Sequence, residues 1–177
     1  GAGETGEHEQ GDEPLYDYTL AIGSNFLYGV LVGVTFWIAS LFSNRQAALG
    51  LRRFPPRALW LAAGIVIVSL ILAAVLEPVL HASREQGLEP EQWRPEKTAP
   101  FLLNAVVIVT LVPFTEELFY RGLGVRALSI FGSVVAVVVS GVVFGLAHGI
   151  LVALPVLGFF GLALAWLRLR TGSVWPC

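Results

Sequence analysis

The segment Pro113-Phe-Thr-Glu116-Glu117-Leu-Phe-Tyr-Arg121-Gly122 sets two carboxyls and a guanidinium inside an apolar stretch. A charge near the middle of a membrane-spanning helix costs roughly 2.5–3.5 kcal/mol even on lenient insertion scales, so such residues are usually paired or functional. Helical spacing separates their roles. Glu117 and Arg121 are i,i+4 neighbours and can pair on one face. Glu116 points about 100° away and has no such partner on its own helix. An unpaired carboxyl in apolar surroundings suits general acid–base work. Pro113 deprives the Val109 carbonyl of its helical donor, so a kink or polar pocket is expected beside the pair. The bland reading of the same charges is an anchor at a cytoplasmic helix end.

The second feature is Phe144-Gly-Leu-Ala-His148. A lone His in an apolar helix is more often a core or interface group than a catalyst, but its register here changes that weighting. A break is expected near Phe131-Gly132, where Gly follows a helical run. Glu116 lies sixteen residues before Gly132 and His148 sixteen after it. In an antiparallel hairpin the two then share one height, about 24 Å from the turn at 1.5 Å per residue. Gly141, Gly145 and Gly149 recur at i,i+4,i+8, a stripe expected to draw these helices together and fix His148. Competing chemistries lack residues. There is no H-E-x-x-H, and the only aspartates, Asp12 and Asp17, precede the first span. A Ser140–His148 dyad fails because eight residues of one helix separate its members by about 12 Å. A metal could draw on Glu116, Glu117 and His148, but without a second His they make a poor zinc site. No cofactor is expected.

These groups need elements to hold them. Of 177 residues, 55% are hydrophobic and 14% charged, with a mean hydropathy of +0.73, whereas soluble domains carry about 25% charge. Apolar stretches at Leu20–Phe42, Ala58–Leu80, Phe101–Arg121, Ala127–Gly149 and Leu151–Leu167 each approach the ~20 residues that cross hydrocarbon. The fold class expected is all-α, a multi-pass transmembrane helical bundle of about five spanning helices. Residues 1–14 form an acidic, Gly-rich tail expected to be disordered. Residues 15–99 hold two leading helices and a polar, Pro-containing loop, and residues 100–177 carry the chemistry. Leu20–Phe42 lacks the basic leader and short apolar core of a secretory signal. The sequence has no Met and is expected to be a processed or excised piece. Its single cysteine, Cys177, excludes an intrachain disulfide.

The bilayer is the partner that composition implies, and the net charge of −2 with no basic patch points to no nucleic acid. Arg45, Arg52, Arg53 and Arg57 follow the first span, Arg121 and Arg126 end the third, and Arg168 and Arg170 end the fifth. These alternate connections are expected in the cytoplasm, with the N-terminus outside.

Glu116-Glu117-x-x-x-Arg121-Gly122 followed by Phe144-x-x-x-His148 resembles the CAAX-protease and bacteriocin-processing (CPBP, or Abi) family of intramembrane proteases. Thr171-Gly172-Ser173-Val174-Trp175 is similar to the run before that family's last helix, so the resemblance covers Phe101 to Trp175. It implies an endopeptidase in which Glu116 and His148 activate a water, with Glu117, Arg121 and Phe144 in support. It also implies a membrane-associated protein or peptide as substrate and a bacterial cell (inner) membrane as location. The family places a further His, four residues before Asn or Asp, in a later helix that stabilises the oxyanion; the sequence stops at Cys177, before any such helix, and is expected to be incomplete there. The alternative is a non-catalytic membrane scaffold or immunity-type protein that keeps the fold.

Overall fold

The computed structural model describes residues 14–82 and 93–177. The acidic tail up to residue 13 and most of the polar connection lie outside them. Among the described residues the chain is helical, and every break has a local cause. Asp17 caps α1 (Tyr18–Ala39), accepting from the Thr19 amide at 2.9 Å. A short α2 (Arg45–Leu49), not anticipated from the sequence, starts on the Asn44 cap and stops at Gly50. α3 (Arg57–Leu80) follows. α4 is a continuous helical segment of 37 residues, Pro95–Phe131. At 1.5 Å per residue it reaches roughly 55 Å, more than the ~30 Å of hydrocarbon. α5 (Ser133–Ala147) and α6 (Leu154–Thr171) complete the bundle.

Among the described residues, four helical segments are long and apolar enough to cross a membrane: Tyr18–Ala39, Arg57–Leu80, Pro95–Phe131 and Leu151–Thr171. The chain is an integral membrane protein. The fourth expected span is the exception, because Ala127–Gly149 does not form one helix. Gly132 takes φ 104°, ψ 159°, open to Gly and costly for a side chain, and so ends α4 and starts α5. The remaining 15 residues of α5 rise about 22 Å, short of a full crossing.

Two contacts set the register of α1 against α4. The buried Asn104 side chain donates to the carbonyls of Leu15 at 3.0 Å and Asp17 at 2.9 Å, and Tyr16, Trp93 and Phe101 cluster beside it. α1 and α4 therefore begin at the same end. From there Tyr28 on α1 and Glu116 on α4 lie at matching depth, eleven residues past Asp17 and twelve past Asn104, or about 17–18 Å along their helices.

The glycine stripe does not do what its spacing implied. A Cβ on Gly141 would sit 2.6 Å from the Leu162 backbone nitrogen, and one on Gly145 would sit 3.1 Å from that of Gly158. Both glycines thus face α6, which answers with Gly158 and Gly161. Gly149 lies beyond the end of α5. The stripe joins α5 to α6 and leaves the Glu116 helix to other contacts. Gly141→Ala should therefore lower the unfolding midpoint in detergent, by overpacking worth about 1–3 kcal/mol. Gly64→Ala, where an added Cβ meets nothing within 4 Å, should be neutral or slightly stabilising. Equal midpoints for the two variants would remove the packing argument.

Candidate active site

The Glu-bearing stretch of α4 is wound unusually. Val107–Leu111 and Glu117–Gly124 both run as π-helix, with Val112 N–H bonded to Val107 O and Val125 N–H to Tyr120 O, five residues back. Such wide turns are rare and often occur at functional sites. The first lies directly ahead of Pro113, where the sequence called for a kink. The second contains Glu117 and Arg121, and its Tyr120 carbonyl also accepts from Ser140 Oγ at 3.2 Å. That bond ties α5 to α4. Gly122 has a packing role, since a Cβ there would come within 2.8 Å of the Leu49 carbonyl.

Glu117 and Arg121 meet as their spacing required, with Oε1 3.1 Å from Nη1. Arg121 is completely buried, and Glu117 is 17% exposed. The Arg121 guanidinium also lies 3.9 Å from the centroid of the Phe144 ring, a cation–π contact strengthened by desolvation. Phe144 in turn packs edge-on to His148, with centroids 4.7 Å apart. The ring of His148 is fastened at one nitrogen, for its Nδ1 lies 2.8 Å from the Phe144 carbonyl. A carbonyl only accepts, so Nδ1 carries the proton and Nε2 is left as the acceptor in the neutral ring. Arg121, Phe144 and His148 thus form one stack that sets the direction of Nε2.

Glu116 stands on the other side of this arrangement. A cavity of about 490 Å³ is lined by Glu116 and Tyr120 from α4, Ala147 and His148 from the end of α5, and Leu27, Tyr28 and Leu31 from α1. Glu116 and His148 are close enough to interact electrostatically, and Tyr28 and Tyr120 lie within the same reach of Glu116. The hairpin about Gly132 therefore brings the two residues sixteen positions from its turn into one space. His148 sits just past the last helical residue, Ala147, rather than inside the helix. Glu117 turns away to Arg121, and among the described residues no three His, Cys, Asp or Glu side chains gather in a metal-binding group.

Residues 98–177 match the family described as type II CAAX prenyl endopeptidase Rce1-like. Over this segment, which is less than half of its length, the chain is similar to that family of the CPBP type. No curated protein and no solved structure matches the chain. Proteins of that family are membrane endopeptidases, and the matched segment contains Glu116, Glu117, Arg121, Phe144 and His148. Tyr28 lies outside it, on α1, and sequence reasoning passed over it. A single Tyr in an apolar helix carries no signal of its own, and only the register set by Asn104 turns it toward Glu116.

Proposed function

We propose that the chain is an intramembrane endopeptidase that uses Glu116 as general base and His148 as its partner to drive a water onto a peptide bond. The substrate is a membrane-associated protein or peptide. The observation that carries this reading is one cavity lined by a carboxyl and an imidazole from separate elements. In the reaction Glu116 takes a proton from water, and the water oxygen attacks the scissile carbonyl. The proton then passes to the leaving nitrogen as the C–N bond breaks. With Nδ1 held by the Phe144 carbonyl, Nε2 of His148 is the free end that orients the water or, once protonated, steadies the developing oxyanion. The hydroxyls of Tyr28 and Tyr120 add donors to the same space. Leu27, Val30, Leu31 and Val34 of α1 give the cavity an apolar wall, along which a chain could enter from the bilayer.

The test is cleavage of fluorogenic peptides ending in a CAAX sequence, with and without a farnesyl group, by the chain reconstituted in vesicles. Cleavage that depends on Glu116 supports the reading. A folded full-length protein, with any helix that follows Cys177 restored, that cuts neither peptide favours a scaffold.

The orientation proposed with this function places Arg52, Arg53 and Arg168 in the cytoplasm and the N-terminus outside. Supporting it, Arg52, Arg126 and Arg168 line one cavity at a single end of the bundle. A Glu4→Cys variant in a Cys177→Ser background should be labelled by an impermeant maleimide only from outside. Labelling only from the cytoplasm would invert the topology.

A further inference from the structure

That second cavity, of about 450 Å³, lies apart from Glu116 and His148 and is lined in part by Arg52, Arg126, Arg168, Ser43, Asn44 and Ser129. Among the described residues, no carboxylate lines it. Arg168 is the unusual member, for at 7% exposure it is buried in the last turn of α6 instead of reaching for water. Its Nε has no hydrogen-bond partner among the described residues, and Nη2 makes a long 3.4 Å bond to the Ala47 carbonyl of α2. Arg52 and Arg126 are close enough to act on it electrostatically. Three like charges around one space repel, and a buried guanidinium nitrogen without an acceptor is costly. An anion in the cavity relieves both.

The surroundings are built to keep these groups in place. Gly50 has φ +71°, a conformation side chains rarely adopt, and the Arg168 guanidinium packs where a Cβ would stand. The carbonyl of Arg52 accepts from Ser173 Oγ at 2.6 Å, and that of Gly50 accepts from the Val174 amide at 3.0 Å. The loop after α2 is thereby fastened to the segment following α6. The remaining polar groups are suited to an anion: the Ser43 hydroxyl can donate, and Asn44 uses its oxygen for the α2 cap and keeps its amide hydrogens.

We propose that this cavity is a binding site for a phosphate group, and that the group belongs to the headgroup of an anionic phospholipid. Location assigns the lipid. The cavity lies where α1 has just ended and α4 and α6 are in their final turns, the level of headgroup phosphates, and Phe42, Val125 and Leu169 supply an apolar flank. Guanidinium groups match phosphate oxygens in a bidentate fork.

The experiment titrates the full chain in neutral detergent with phosphatidylglycerol, phosphatidylcholine or inorganic phosphate and reads the unfolding midpoint. A ligand bound only by the folded state raises that midpoint saturably. Phosphatidylglycerol should do so at concentrations where the other two do not. The variant Arg52→Gln/Arg126→Gln removes two exposed side chains and leaves the packed Arg168 in place. It should raise the half-saturating phosphatidylglycerol concentration about 25-fold, or roughly fivefold per arginine. Equal responses to the two lipids, or a response unchanged in the variant, would overturn the site. Inorganic phosphate acting as well as phosphatidylglycerol would overturn its assignment to lipid.

Discussion

Glu116→Gln should lower peptide cleavage by roughly two or more orders of magnitude while leaving the unfolding midpoint and substrate binding near those of the unaltered chain. The amide keeps the size and polarity of the carboxyl but cannot take a proton from water. The cavity should keep its shape, because Glu117 and not Glu116 makes the ion pair with Arg121. His148→Ala should be comparably severe. It removes Nε2 together with the ring that packs on Phe144 at 4.7 Å, so its midpoint should be measured beside its rate. Combining the two substitutions should cost little more than either alone, as expected of groups that act on one water as a unit. Additive losses would mean that the two side chains serve separate steps, and undiminished turnover by the Gln variant would remove Glu116 from the chemistry.

That Glu116 and His148 lie at one height and line one cavity was legible in the sequence, because it depends on two simple quantities, a turn at Gly132 and equal spacing on either side of it. The turn is where glycine alone tolerates the backbone, with φ 104°. The i,i+4 contact of Glu117 with Arg121 was legible for the same reason, since both residues share one helix. What stayed hidden depends on facing between helices. The stripe of Gly141 and Gly145 was expected to meet the Glu116 helix, and only its contacts with Gly158 and Gly161 show that it packs on α6 instead. The wide π-turns at Val107–Leu111 and Glu117–Gly124 also left no trace in hydrophobic periodicity. The length of α5 was misjudged because the fourth span was counted from Ala127, across the break at Gly132 that ends the preceding helix. Tyr28 and the Arg168 cavity required long-range register, set by Asn104 in one case and by Gly50 and Ser173 in the other.

Glu117 and Arg121 should be strongly coupled in stability, and a double-mutant cycle will show it. Arg121 is fully buried, and its nearest compensations are the Glu117 carboxylate at 3.1 Å and the Phe144 ring at 3.9 Å. Glu117→Gln would leave the guanidinium with only the ring and a neutral amide. Arg121→Leu would strand the carboxylate in the same low-dielectric space. Removing one partner of a buried pair costs about 3–5 kcal/mol, because the survivor remains charged and uncompensated. Replacing both by neutral groups of similar size removes that penalty, so Glu117→Gln/Arg121→Leu should unfold at a higher temperature than either single variant. Activity should behave differently. The double variant lacks the guanidinium that packs on Phe144, whose carbonyl and ring fix His148, so cleavage should stay depressed after stability has recovered. Purely additive midpoints across the four proteins would show that the contact contributes no coupling. Full recovery of cleavage in the double variant would show that the stack from Arg121 through Phe144 does not position His148.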